Sequence, residues 1–304
     1  MKQFEFKSKE EWLKMRLEDI TSTEASALFG LNPYMTEFEL WHQKKNEEIV
    51  LLEDHERMRW GTRLESAIAE GIGEDQGWKT EPMKFYGRHE SCRAGSSFDY
   101  KIQNDEGIGL LEIKNVDGLV FRDKWTVEDG EVAEAPPHIE IQVQHQLMVT
   151  GFKFAYIGAL VGGNKISLIK RSPDEKIISR IESKIIKFWK DINNNNPPKP
   201  DFERDHAFIS QLYGHAEPGK IMDVTSARID QLADNYKTAS AAAKVYEAAK
   251  KAAKAELLTL IGEAEKVLGN AYTISAGVTG PKRVEAHERA GFRNFRIHFK
   301  KEKK

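Results

Sequence analysis

Residues 193–200 read NNNNPPKP. The three prolines lack the amide hydrogen that a helix or an inner strand needs, and the run of asparagines favours turns. No regular element crosses such a stretch. A first domain of residues 1–200 is therefore expected to close here, with a separate tail over residues 201–304. In the tail, 225–268 is rich in Ala, Lys and Glu, with a sparse apolar seam of Ile229, Leu232, Tyr236, Ala243, Tyr246, Leu257 and Ile261. That spacing predicts one long helical arm of about 65 Å at 1.5 Å per residue. YTISAGV and FRNFRIHFK beyond it read as two strands of a small β hairpin. From Lys282 to Lys304 nine basic residues face three glutamates, interleaved with Phe292, Phe295 and Phe299. Such a segment suits a solvated end, a DNA backbone or a partner protein.

The first domain mixes two periodicities. Helices are expected over 8–18, where Ser8 and Glu11 can form a capping box, then from Ser22 or Thr23 to Gly30, and over 36–47. The clearest early helix is 56–72, with Trp60, Leu64, Ala67, Ile68 and Ile72 on one stripe. Strands follow: SSFDYKI and GIGLLEIK flank the turn-forming QNDEG and predict a hairpin. HIEIQVQHQLMVT at 138–150 reads as a helix, FAYIGALVGG and KISLIKR as a second hairpin, and 173–192 as an amphipathic helix. This alternation is the pattern of an α/β fold with a central mixed sheet flanked by helices.

The chemistry gathers on the first hairpin. Glu112 and Lys114 are two residues apart on one strand and so share a face, while Asp99 falls on the partner strand. Two carboxylates with water suit a hard Mg²⁺ or Mn²⁺ ion. Such an ion lowers the pKa of a bound water and neutralises a phosphate, and the Lys114 ammonium can stabilise developing negative charge. The same three residues could equally be a solvent-facing pair and neighbour on an antiparallel edge. Glu65, in the apolar stripe of its helix, needs a charged partner or an edge position. Among the glutamines of 142–146, Gln144 is the one placed for metal-bound water or phosphate, and Gln142 and Gln146 fit a surface face. Gly61 offers close packing one turn before Glu65. Arg16 with Thr21, Ser22 and Thr23 at a helix N-terminus forms either a phosphate pocket or an ordinary cap.

Bulk properties exclude other classes. A single cysteine, Cys92, rules out a disulfide framework, a four-cysteine zinc site and a cysteine-ligated iron–sulfur cluster. The 46 basic and 48 acidic residues give a net charge of −2, which neither announces nor excludes a nucleic-acid groove. No apolar run spans a bilayer and the N-terminus is too polar for a secretory signal, so a cytoplasmic protein is expected, with no membrane partner.

In order, RLEDITSTEAS, WGTRLE, SFDY, LEIK and QVQHQLMVTG resemble the YqaJ-type viral recombinases and lambda exonuclease, within the PD-(D/E)XK nuclease superfamily. The superfamily's leading Pro-Asp is Phe98-Asp99 here. The resemblance implies Asp99, Glu112 and the Ile113 carbonyl as metal ligands and Lys114 as the catalytic lysine. It implies that Glu65 and Gln144 complete the site, and that Arg16, Ser22 and Thr23 hold a 5′-phosphate. It further implies a Mg²⁺- or Mn²⁺-dependent 5′→3′ exonuclease on linear duplex DNA ends, leaving 3′ overhangs for a single-strand annealing protein, and a homo-oligomer. A structure- or site-specific endonuclease on the same core, or a catalytically silent DNA-binding protein, are the alternatives.

Overall fold

The computed structural model describes residues 1–48, 56–128, 131–223 and 225–280. The chain divides into two compact units, Met1–Ile209 and Ser210–Lys304. In chain order the first unit begins with β1 (Lys2–Phe4), α1 (Lys9–Glu18), β2 (Ile20–Thr21), α2 (Glu37–Lys45) and α3 (Glu56–Gln76). Next come β3 (Lys79–Pro82), β4 (Tyr86–Arg88), β5 (Ala94–Ser97), β6 (Tyr100–Asn104) and β7 (Gly107–Val116). It continues with α4 (Gly118–Lys124), β8 (Thr126–Glu128), β9 (Glu131–Glu134) and α5 (Pro137–Thr150). It ends with β10 (Ala155–Val161), β11 (Lys165–Arg171), α6 (Glu175–Asn193) and most of α7 (His206–Leu212).

The central sheet is mixed, in the order β11-β10-β7-β6-β3. β7 and β10 run parallel, with Glu112 opposite Ile157, and every other pairing in this sheet is antiparallel. A parallel pair needs a crossover, and the segment from α4 through α5 supplies it. A second sheet, β1-β4-β5-β2, stands beside it. SSFDYKI is not one strand of a hairpin. It is cut at Phe98-Asp99, where the chain leaves the second sheet at Ser97 and enters the central one at Tyr100. Only the half after Asp99 pairs with β7.

Strand alternation sorts β7 between two cores. Leu110 joins the large cluster built with α5 and α6, whereas Leu111 and Ile113 join a smaller one under α3. α3 approaches the sheet closely because Gly158 has no side chain; a Cβ there would lie 2.5 Å from Ile72 Cδ1. Within α3 the close-packed glycine is Gly73, against Thr80, while nothing lies within 4 Å of a Cβ at Gly61. The buried stripe of α3 is Ile68, Ala69, Ile72 and Gly73; Trp60 and Ala67 are exposed, one turn and one phase off the expected face.

α6 begins with Asp174 accepting from the Lys176 and Ile177 amides and buries Ile181, Ile185, Phe188, Trp189 and Ile192. Residues 201–209 return to the core, where Thr36 Oγ1 donates to Asp205 and Phe208 meets Phe38 edge-on. The helix expected from Ser22 to Gly30 is instead one 3₁₀ segment over Ala25–Phe29. Its entry is held by Glu24, whose carboxylate accepts the Thr21 N–H at 2.9 Å. In the second unit the long helix, α8 (Ala227–Ile261), stops short of residue 268, at Gly262 with φ +58°. Lys266–Leu268 then pairs with Thr273–Ser275 as a small hairpin of β12 and β13. α8 buries none of its described residues, its seam included. The expected strand FRNFRIHFK and the basic end lie outside the described residues.

His145 on α5 ties the helix to β2 by donating from Nε2 to the Ile20 carbonyl at 3.1 Å, and it is fully buried. Burial pushes its pKa down to about 4, so the ring is neutral and its Nδ1 has no partner among the described residues. A folded value below the unfolded one means that the unfolded chain binds the extra proton. Stability should fall as pH drops from about 6.5 toward 4, by roughly 3 kcal/mol. Urea unfolding across that range checks this, and His145→Gln should flatten the slope; an unchanged slope would remove the assignment.

Candidate active site

Glu112 is 3% exposed and sits on an inner strand of the central sheet, which excludes a solvent-facing edge pair. A buried carboxylate needs donors. Glu112 has three: Lys114 Nζ and Gln142 Nε2 (2.6 Å) on Oε1, and Gln146 Nε2 (2.7 Å) on Oε2. Gln142 and Gln146 are one helical turn apart on α5 and so face the same way. Gln144 faces elsewhere. Its Nε2 donates to the Ser172 carbonyl and its Oε1 accepts from the Asp174 amide, both at 2.9 Å, so it fastens the start of α6. Half a turn separates the two roles. Gln142 and Gln146, expected on a surface face, are instead buried against Glu112; their i, i+4 spacing was the signal in the sequence that could have found them.

Asp99 occupies the bend between the two sheets, half-buried, and its Oδ2 accepts the Ile113 N–H at 2.8 Å. That bond clamps β7 to the bend and sets Asp99 beside Glu112. Burial, then the neighbouring Glu112 charge, holds the Asp99 carboxyl well above the usual carboxylate range, against Lys114 and the Ile113 amide. Glu65 on α3 joins the group: burial and then Glu112 raise its pKa, and Lys114 lowers it. For Lys114, burial works against the charge, but Glu112, Asp99 and Glu65 outweigh it and the pKa is raised. Asp99, Glu112, Glu65 and Lys114 thus form one electrostatic cluster around three carboxylates and a single ammonium. An acid cluster with one compensating cation has the donor set of a hard divalent ion, and the raised Asp99 carboxyl marks where positive charge is lacking. All three carboxylates offer oxygen donors, the kind that Mg²⁺ and Mn²⁺ take.

A second cluster surrounds Arg16. Its guanidinium lies 3.4 Å from the hydroxyls of Thr21 and Thr23 and 4.7 Å from the Trp12 ring centroid. Lys44, buried, bridges the Glu24 carboxylate (2.8 Å) and the Arg16 carbonyl (2.6 Å). Burial alone would raise the Glu24 pKa, yet Lys44 and Arg16 hold it below the usual range. Glu24 is therefore the resident anion of this corner, in place of free helical N–H groups. Ser22 does not join: it is buried and its hydroxyl accepts from Ser96 Oγ. Thr23, by contrast, is exposed. Ser97 connects the two clusters, with Oγ accepting from Trp12 Nε1 at 2.7 Å and its carbonyl meeting Gln146 Nε2 at 3.5 Å.

The model of the YqaJ-like viral recombinase domain matches residues 11–153, which hold every member of both clusters. The uncharacterized protein YqaJ of Bacillus subtilis (strain 168) is 28% identical over 230 residues, spanning 74% of this chain and 70% of that one. Among solved structures, an alkaline exonuclease (LHK-Exo) from Laribacter hongkongensis superposes with a TM-score of 0.50 at 19% identity, over 66% of this chain and 99% of its own. Its complex with dAMP gives the same figures. The shared fold is the nuclease α/β fold, with its central mixed sheet flanked by helices.

Proposed function

We propose that this chain, whose residues 11–153 match the model of the YqaJ-like viral recombinase domain, is a Mg²⁺- or Mn²⁺-dependent deoxyribonuclease. On this reading it digests linear double-stranded DNA from its ends, 5′→3′, and leaves 3′ overhangs for a single-strand annealing protein. The observation that carries the reading is the convergence of Asp99, Glu112 and Glu65 on Lys114, with Glu112 oriented by Gln142 and Gln146. The alkaline exonuclease among the structural neighbours supports action at ends.

Asp99, Glu112 and the Ile113 carbonyl would hold the ion. When bound, it supplies Lewis acidity at the phosphate and a water of lowered pKa. The chain does the rest by position. Gln142 and Gln146 keep the Glu112 carboxylate in one orientation, and the Asp99–Ile113 bond fixes the distance between bend and strand. The Lys114 ammonium would stabilise the negative charge that develops on the attacked phosphate. Arg16 and Thr23 would grip the terminal 5′-phosphate. For that grip to be renewed after each cut, the oxygen of water must bond to phosphorus while the P–O3′ bond breaks. Each released nucleotide then leaves a fresh 5′-phosphate behind.

The test is digestion of linear and closed-circular duplexes in Mg²⁺, with 5′-phosphate or 5′-hydroxyl ends. Linear DNA should be consumed and the circle spared. Arg16→Ala should slow digestion of 5′-phosphorylated ends by about 10–100-fold, the worth of a charge-assisted hydrogen bond or two, and change 5′-hydroxyl ends little. Nicking of the circle would replace the exonuclease with an endonuclease, and equal loss on both ends would remove the phosphate grip.

A further inference from the structure

The turn from β4 to β5 carries His89, Ser91 and Cys92, and α6 carries Glu182 opposite it. None of these belongs to either cluster above. His89 Nδ1 and Cys92 Sγ are 3.2 Å apart, and Ser91 Oγ lies 3.3 Å from His89 Nδ1 and 3.2 Å from Glu182 Oε1. One ligand atom each from His89, Cys92 and Glu182 fall within 4.8 Å of one another. An imidazole nitrogen at about 2.0 Å and a thiolate at about 2.3 Å from one tetrahedral ion stand about 3.5 Å apart. The His89–Cys92 separation is close to that edge with no rearrangement of the turn. An open cavity of about 450 Å³, lined by His89, Ser91 and Cys92 together with Glu18, Asp19 and Arg88, gives the cluster an entry path.

We propose that His89, Cys92 and Glu182 form a second metal site, for a borderline transition ion of the zinc class. The donor set decides the ion. Sulfur and nitrogen are poor ligands for Mg²⁺, whereas the three carboxylates at Asp99, Glu112 and Glu65 offer oxygen only. One domain thus sorts two cations by ligand softness. Three protein donors leave a fourth position for water. Binding converts the Cys92 thiol to a thiolate and releases its proton to solvent.

The consequence is mechanical. His89 and Cys92 belong to the turn and Glu182 to the helix, so the ion would pin the β4–β5 turn onto α6. That contact is already begun by Arg93, whose guanidinium stacks 3.4 Å from the Trp189 ring centroid and whose carbonyl accepts from Trp189 Nε1.

Cys92 is the chain's single cysteine, which makes the site readable by spectroscopy. Co²⁺ is titrated into the reduced full-length protein with excess Mg²⁺ present to fill the carboxylate centre. A thiolate-to-cobalt charge-transfer band in the near ultraviolet, saturating at one equivalent and bleached by Zn²⁺, is the expected result. Cys92→Ser should abolish the band. His89→Gln and Glu182→Gln should weaken Co²⁺ binding by about tenfold or more; circular dichroism of each variant verifies its fold. No band with intact, titratable thiol overturns the site, and so does a band that His89→Gln and Glu182→Gln leave unchanged. Neither outcome depends on DNA hydrolysis, so this site and the nuclease reading stand or fall separately.

Discussion

Lys114→Ala should lower DNA hydrolysis by about 10²–10³-fold, the usual cost of removing one preorganised group that stabilises transition-state charge. No group among the described residues is placed to substitute. Asp99, Glu112 and Glu65 are acids, His138 is pushed toward its neutral form by burial and by the Lys114 charge, and the Gln142 and Gln146 amides are already committed to Glu112. The variant should keep its fold, because Glu112 retains two amide donors. It should nevertheless lose some stability, since a buried carboxylate gives up its counter-charge. Lys114 is partly exposed, which keeps that loss below the cost of breaking a fully buried pair. Single-turnover digestion of a linear duplex, alongside thermal unfolding, separates the two effects. A variant that folds and hydrolyses DNA normally would end the assignment of this cluster as a catalytic site.

Asp99→Asn should do the opposite to stability while also stopping hydrolysis. The asparagine side-chain oxygen can still accept the Ile113 N–H, and the charge that Glu112 opposes is gone. In the wild type the folded-state pKa of Asp99 lies above its unfolded value. The folded form therefore holds the proton more tightly. Its stability is greatest below the ordinary carboxylate range and declines as pH rises through the raised value. A divalent ion needs the ionised carboxylate, so stabilisation by Mn²⁺ should grow over that same interval. Without divalent ions at about pH 8, Asp99→Asn should melt higher than the wild type by roughly 2–4 °C, near 1 kcal/mol. Added Mn²⁺ should raise the Tm of the wild type and leave the variant unmoved. A variant that melts lower across the pH range, or that still responds to Mn²⁺, would place the strained acid elsewhere.

Much of this molecule is set by local pattern. The run NNNNPPKP ends α6 whatever surrounds it, because proline cannot donate to a helix. Ser8 and Asp174 cap their helices with bonds that span only two or three residues. Period two puts Glu112 and Lys114 on one face of β7, so their pairing is present in the sequence before the fold exists. The tertiary structure decides everything that depends on distant partners. Asp99 reaches Glu112 because the chain changes sheets at Phe98-Asp99, which alternation alone cannot mark. Gln142 and Gln146, not Gln144, hold Glu112, since the rotational phase of α5 is fixed by what it packs against. Gly158 and Gly73, not Gly61, permit the approach of α3 that brings Glu65 in, because close contact is a property of two surfaces. Glu24 fills the anion corner beside Arg16 because Lys44, 20 positions further along, is buried against it (44 − 24). Sequence carries the chemistry of each side chain and its nearest few neighbours; the cost of burying charge then selects which distant donors must meet it.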